Sequence, residues 1–377
     1  MSLKKRFRPS KIVIALSAGM AMAGVAITAR AAPTATIYGM VGVVGSYNTA
    51  TTGGQKSTYG IQNNISQVGV KGDLGEAGGT KFIYNYDMSV DPTSAIGSPS
   101  TYWAYLGATG PWGTLKAGRL ESTYFNDVVL PFTPFWWMYP TVVANFEQDK
   151  AISYVSPTMG GFTVSAEGFN IGKGSSASSK STNNYGLSGT YTTGDFSFAA
   201  GFESFSKYGD GAAKYSASPS QTVWLTPVNE YSGVLLKNKV GLRGTYSSGP
   251  LTVSVGGFGF KPTSMLLTAT QNTHEIYTYL ATASYAFNPK WTVMGNVSTT
   301  TQGASGTLSR TRGTLTTLGL AYAPISSVAF YAEYQYADKK AVESGLDSDV
   351  LDAAASSVAV PGTKAASQFV IGGTYSF

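Results

Sequence analysis

The run that closes the chain, Phe369-Val370-Ile371-Gly372-Gly373-Thr374-Tyr375-Ser376-Phe377, alternates without a break. Phe, Ile, Gly, Tyr and Phe fall on one side, and Val, Gly, Thr and Ser on the other. Successive side chains of a β-strand point to opposite faces, so this is a strand with one greasy face and one small or polar face. The period recurs along the chain. Val328, Phe330, Ala332, Tyr334 and Tyr336 oppose Tyr331, Glu333 and Gln335, and Tyr277, Tyr279, Ala281, Ala283, Tyr285 and Phe287 form a further apolar face. Phe82, Tyr84, Tyr86 and Met88 oppose Lys81, Asn85 and Asp87, and Val240, Leu242, Gly244 and Tyr246 oppose Lys239, Arg243 and Thr245. A soluble sandwich also alternates, but its dry interior does not tolerate unpaired charge at mid-strand. On the wall of a water-filled lumen such charges are natural, with the apolar face turned to lipid.

The connections support the second choice. Short ones, Asp73–Gly79, Gly110–Gly113, Pro157–Gly161, Thr193–Asp195, Ser248–Pro250, Asn288–Lys290 and Pro324–Ser327, carry the Gly, Pro, Asn and Ser of tight turns. They alternate with long polar ones at Asn48–Asn64, Val90–Pro99, Asn170–Asn184, Ser206–Leu236, Lys261–Asn272, Thr301–Thr311 and Asp338–Ala366. Short turns on one side and long loops on the other mark an outer-membrane barrel. The runs amount to sixteen strands, each near the ~9–11 residues that a tilted span needs. An even number lets both termini meet at one end. The expected fold is therefore all-β, a transmembrane antiparallel β-barrel.

The first 31 residues stand apart. Lys4, Lys5, Arg6, Arg8 and Lys11 precede an apolar, small-residue stretch from Ile12 to Thr28, and Ala29-Arg30-Ala31 has the form of a cleavage site. This is a secretory signal peptide; its apolar run is short of the ~20 residues a helical span requires. Residues 32–377 then form a single barrel domain. The signal holds six basic residues and no acid, so its removal leaves 20 basic residues against 20 acidic ones. The formal charge of +6 thus carries no message about nucleic acid, and no nucleic-acid partner is expected. There is no cysteine, so no disulfide framework, and His274 is the sole histidine. No cofactor or metal site is expected. A barrel hydrolase would need a Ser–His pair with an orienting group, and no motif supports one around His274. No later apolar run approaches the ~18 residues of a membrane helix.

One stretch breaks the alternation. Asp127 to Asp149 holds three prolines, Pro131, Pro134 and Pro140, and the aromatic cluster Phe132, Phe135, Trp136, Trp137 and Tyr139. Disordered segments are poor in aromatics, so this one should fold against something, and the bore of the barrel is available. Between Asp127 and Glu147 it carries no charge. Its aromatics either glue the segment to the inner wall or line a constriction and offer faces to sugars or aromatic solutes.

Taken in order, Thr36-Ile37-Tyr38-Gly39, Gly69-Val70-Lys71-Gly72-Asp73-Leu74-Gly75, Trp112-Gly113-Thr114-Leu115-Lys116-Ala117-Gly118-Arg119 and Tyr154-Val155-Ser156-Pro157-Thr158-Met159-Gly160-Gly161-Phe162 resemble the Gram-negative general porins. The resemblance runs the length of the mature chain. It implies a homotrimer of sixteen-stranded channels in the outer membrane, in contact with its lipids and lipopolysaccharide, passing small hydrophilic solutes by diffusion. It implies that the terminal Phe377 is read by the barrel-assembly machinery, and that a third loop, about residues 122–149, folds inward as a constriction. In that family basic wall side chains face acids on the loop. Here Lys71 and Arg119 match basic wall positions, while Gln67 and Val155 stand where relatives often carry arginine. The loop's Pro-Glu-Phe is replaced by Pro131-Phe132-Thr133, so its acid is missing.

The expected basic wall is therefore Lys71, Lys116, Arg119 and Arg243, and the acidic wall Asp87, Glu167 and Glu333. Arg119 shares the parity of the lipid-facing Leu115 and Ala117, so either a bulge at Gly118 turns it inward or the strand ends there. The constriction would be built from Asp127, Phe132, Phe135, Trp136, Trp137, Tyr139, Glu147 and Asp149. A plain diffusion channel with weak, if anything anionic, selectivity is the expected function. A solute-selective channel and a plugged barrel acting as an adhesin are the alternatives, distinguished by saturable flux and by absence of conductance.

Overall fold

The computed structural model describes residues 33–49, 57–94, 99–138, 146–173, 181–205, 234–265, 276–302, 311–340 and 365–377. The strands, in chain order, are β1 (Thr36–Asn48), β2 (Thr58–Asn63), β3 (Gln67–Ala77), β4 (Thr80–Ser89), β5 (Ser100–Gly110) and β6 (Gly113–Glu121). Next come β7 (Glu147–Val155), β8 (Phe162–Lys173), β9 (Ser181–Thr193), β10 (Phe196–Ser204), β11 (Val234–Ser248) and β12 (Leu251–Met265). The set ends with β13 (Ile276–Asn288), β14 (Trp291–Gln302), β15 (Thr311–Ile325), β16 (Val328–Ala337) and β17 (Ala366–Ser376). From β3 onward each pairs antiparallel with the next in sequence, β2 and β3 both pair with β1, and β1 pairs with β17 from Met40↔Ser376 to Asn48↔Gln368, which closes the sheet on itself. Closure removes the free edges that the two end strands of an open sheet would leave in lipid.

The seventeen strands of the described residues make sixteen positions around the barrel, because β2 and β3 are two halves of one wall strand. β3 pairs with the first half of β1, Thr36↔Lys71 to Met40↔Gln67, and β2 with the second, Val43↔Asn63 to Asn48↔Thr58. Residues 58–63 were expected in a long outer loop, and their strand is a correction. The reason lies at the break. Ile65 takes a positive φ of 47°, and the Asn64 carbonyl lies where a side chain on Gly42 would sit, 2.2 Å from an ideal Cβ. Only glycine on β1 admits this crossing. Ser66 Oγ then caps the gap by accepting the Gly42 N–H at 2.9 Å. The turn expected over Asp73–Gly79 is also narrower, since β3 runs to Ala77 and β4 resumes at Thr80. Most of the expected long outer connections, and His274 with them, lie outside the described residues.

The phase of the strands is the one their sequences dictate. Phe330 on β16 is 53% exposed and its neighbour Tyr331 3%; Leu242 on β11 is 65% exposed and Arg243 7%. Ile37, Leu106, Phe287, Ile371 and Tyr375 all belong to the outward set. An apolar band on the outside and polar groups within is the arrangement that a bilayer around an aqueous bore selects. No helix of the described residues is long and apolar enough to cross a membrane.

The candidate pore constriction

After β6 the chain leaves the wall and turns along the inside of the barrel. It does so through a π-helical turn, Phe125–Val129, and a 3-10 turn, Leu130–Phe132, with Pro131 stiffening the second. Its root rests on a buried polar group. Ser122 Oγ is shared between Glu167 Oε1 at 3.2 Å and Glu203 Oε1 at 3.3 Å, and the Thr123 N–H donates to Glu167 Oε2 at 2.9 Å. Gln148 Nε2 donates to Glu203 Oε1 at 3.2 Å, and Lys239 Nζ lies 2.5 Å from Glu203 Oε2. The ammonium also sits 5.2 Å from the centroid of the Tyr124 ring and 5.5 Å from that of Phe205. Charges taken out of water persist only when paired and hydrogen-bonded, and the cation–π faces add to that pairing. Tyr124 itself is fully covered, and burial pushes its hydroxyl well above the usual phenol range. Gly201 and Gly241 make the room: a Cβ on either would meet the Tyr124 side chain, at 2.6 and 2.5 Å.

The middle of the segment is held through its backbone. Arg243 donates to the Asp127 carbonyl from Nε at 3.2 Å and Nη2 at 2.8 Å, and from Nη1 to Thr245 Oγ1 at 2.6 Å. The Asp127 carboxylate accepts from Ser188 Oγ at 2.7 Å. Thr282 Oγ1 donates to the Phe132 carbonyl at 3.2 Å, and the Phe132 ring meets Phe258 edge-on, centroids 5.7 Å apart. Phe125, Val128, Val129 and Phe132 thus form an apolar core inside the bore with Ala199, Phe258 and Leu280 of the wall.

At the far end Glu333, 1% exposed, accepts three successive backbone N–H groups: Trp136 at 2.6 Å, Trp137 at 3.1 Å and Met138 at 2.6 Å. Phe135, Trp137 and Met138 are buried with Val44, Met294, Ala321, Tyr331 and Val370. Trp136 stacks on Tyr331, planes 11° apart and centroids 6.1 Å apart. The Tyr331 hydroxyl in turn accepts Asn64 Nδ2 at 2.6 Å, so the break between β2 and β3 reaches the loop tip.

Residues 127–138 therefore follow the inner wall from β9 through β17 to β1. The inward face of β3–β6 is outside these contacts. There Lys71 Nζ lies 4.5 Å above the Tyr38 ring and Lys116 Nζ 4.7 Å above the Tyr105 ring. Tyr38 Oη is within 2.8 Å of Asn85 Oδ1 and 2.7 Å of Asp87 Oδ2, and Asp87 Oδ1 accepts the Trp103 N–H at 2.8 Å.

The site residues read from sequence separate into three groups. Lys71 and Lys116 lie on the uncovered wall. Arg243, Glu167 and Glu333 face inward in the expected phase, yet each is buried under the inner segment and binds it instead of water. Asp87 is likewise buried and fully engaged. Arg119 is the third case. Gly118 has a φ of +144°, and the β6–β7 register shifts between Gly118 and Leu120, opposite Lys150 with a φ of +48°. The guanidinium donates to the Tyr102 carbonyl at 2.9 Å and pairs with Glu147 and Asp149. Glu147 and Asp149 were expected on the loop, but they belong to β7, and their carboxylates neutralise Arg119 across the two strands. Tyr139 lies outside the described residues, and Phe377 closes the β1 seam by exchanging backbone hydrogen bonds with Gly39 at 3.0 Å. Missing from the sequence reading of the site were Glu203, Lys239, Asn64 and Tyr331. Glu203, Lys239 and Tyr331 have inward parity, which was the available signal; Asn64 had none, because the strand break was not foreseen.

A closed antiparallel barrel with an apolar exterior, a polar interior and a chain segment held against its inner wall is the architecture of an outer-membrane channel. The sequence profile of the Gram-negative porins matches residues 12–342. No curated protein matches the chain by sequence. Among solved structures, the anion-selective porin from Comamonas acidovorans superposes with a TM-score of 0.67 at 15% identity, covering 92% of this chain and 100% of its own. The trimer form of OmpT, an outer-membrane protein of Vibrio cholerae, gives 0.62 at 17% identity, with 92% and 100% covered. Salmonella typhi OmpF in complex with daunomycin gives 0.62 at 14%, with 91% and 97% covered. The chain belongs to the Gram-negative porin family. It is an outer-membrane channel for the diffusion of small solutes, and its family and fold are those of a channel rather than an enzyme.

Proposed function

We propose that the channel is gated in size by the segment after β6, that the working form is a homotrimer, and that no chemical step accompanies passage. The observation that carries this reading is the clasp of Glu333 on three consecutive N–H groups, which holds the tip of the segment against the wall far from its root. Rate is then set by the free width between that segment and the β3–β6 wall, and by the charges of Lys71 and Lys116 along it. Residues 1–31 act as the export signal, and Phe377 acts as the end recognised during assembly into lipid and lipopolysaccharide. The trimer form of the similar OmpT supports threefold assembly here. Single-channel recording in planar bilayers, with polyethylene glycols of graded size as blockers, tests the constriction. Removing residues 124–138 should raise conductance and admit larger polymers; an unchanged cut-off would overturn it. Cross-linking in detergent should give three steps, and a species that stops at one chain would refute the trimer.

A further inference from the structure

Six aromatic rings of the inner segment are described, and five of them pack against the wall or one another. Tyr124, Phe125, Phe132, Phe135 and Trp137 are buried. Trp136 alone keeps part of its surface open. Its ring lies nearly parallel to Tyr331, but parallel rings in contact at ~3.5 Å whose centroids are 6.1 Å apart must be displaced sideways by about 5 Å. Tyr331 is therefore offset from the indole, which packs in part against the cluster of Phe135, Trp137, Met138 and Tyr331 and is otherwise open. Leu130, Pro131, Thr133 and Pro134, which share the open side of the segment, add no charge to it, and Leu130 is 48% exposed.

What holds this ring is unusually firm for a loop. The N–H of Trp136 is bound by Glu333 Oε1, and those of the next two residues by Oε2. Tyr331, the ring beneath, is itself fixed through its hydroxyl by Asn64 Nδ2. Both ends of the stack are thus locked by groups from different strands, and neither depends on the Trp136 side chain. A partly exposed aromatic ring that is already ordered binds without a large cost in side-chain freedom. Indole faces attract flat rings, whether the C–H faces of a pyranose or an aryl ring, and lose little on stacking with uncharged ones.

We propose that Trp136 is a stacking subsite for flat, uncharged ring solutes, pre-ordered by Glu333 and by the Asn64–Tyr331 pair. This rests on the reading of the inner segment as the constriction. It makes the channel selective in one respect that pore width does not explain: ring solutes dwell, and acyclic solutes of equal size pass.

The test is current fluctuation in planar bilayers with the full-length protein, using phenyl β-glucoside, methyl β-glucoside, benzyl alcohol and sorbitol as probes. Phenyl β-glucoside should give saturable interruptions, and sorbitol none at the same concentration. Trp136→Leu should raise the half-blocking concentration of phenyl β-glucoside about three- to tenfold, the range expected for one aromatic stack. Trp136→Phe should keep most of the block. A stronger response to methyl β-glucoside than to benzyl alcohol identifies the sugar face as the element recognised, and the reverse identifies the aryl ring. Equal block of Trp136→Leu and wild type by phenyl β-glucoside overturns the proposal, as does equal block by phenyl β-glucoside and sorbitol. A second variant separates this from failure of the constriction reading. Leu130→Glu places a carboxylate on the open side of the segment, so the reversal potential in a salt gradient should move toward cations. If it does not move, the constriction reading falls; if it moves while block ignores Trp136, the subsite alone falls.

Discussion

Replacing Glu333 by alanine should free the tip of the inner segment while leaving the barrel intact. The carboxylate binds three N–H groups at 2.6, 3.1 and 2.6 Å in a place where it is 1% exposed. A buried donor left without a partner costs about 1–3 kcal/mol, so three orphaned donors cost ~3–9 kcal/mol in a dry site. Trp136 is only partly buried, so a released N–H there regains some solvation, which lowers the figure to the bottom of that range, about 3 kcal/mol. At 1.4 kcal/mol per decade this multiplies the released population of the tip about a hundredfold. Hydrogen exchange of the amides of residues 136–138 in detergent micelles reads it directly. Exchange there should accelerate by roughly two orders of magnitude, with amides of β16 and β17 unchanged, and single-channel noise should increase. Glu333→Gln keeps the shape but only one acceptor oxygen, so it should fall between. Wild-type exchange rates at residues 136–138 in Glu333→Ala would refute the idea that this carboxylate positions the segment.

Lys239→Met should leave Glu203 without its buried cation and destabilise the folded barrel by about 3–5 kcal/mol, read as a lower denaturant midpoint. Adding Glu203→Gln should recover much of the loss; a double variant no better than the single one would show that the ion pair is not the cause. Gly118→Ala places a Cβ 2.1 Å from the Ala104 carbonyl at a φ of +144°, and should cost about 2 kcal/mol or more, seen as a reduced folded yield. A wild-type yield would refute that strain. Lys71→Ala with Lys116→Ala removes both cations from the uncovered wall, so a weak anion preference should shift toward cations in a salt gradient. An unmoved reversal potential would place neither side chain on the ion path.

The strand phases were legible because lipid and water impose period 2 on the spanning runs, and bulges such as that at Gly118 interrupt it only locally. Phe330, Leu242 and Ile371 announce the outside as plainly as Glu333 and Arg243 announce the inside. The break at Asn64–Ser66 was not legible, since it rests on a glycine in a different strand, Gly42, leaving space for a carbonyl. Nor did sequence separate a solvated inward charge from a buried one. Arg243, Glu167 and Glu333 have the same parity as Lys71 and Lys116, and only the path of residues 122–138 decides which of them meet water.

By itself, then, the sequence determined a barrel, its closure, its inside and outside, and the one segment that belongs to neither. Those properties follow from local alternation and from turn chemistry, which a chain carries along its own length. The tertiary structure decided what the uncharged aromatic segment does. It is held by wall groups acting mainly on its backbone, through Arg243, Thr282 and Glu333, and backbone acceptors and donors look alike in every sequence. Because the anchoring side chains sit 116 to 197 positions away along the chain, only the closed sheet could bring them under the segment and leave Trp136 as its open ring.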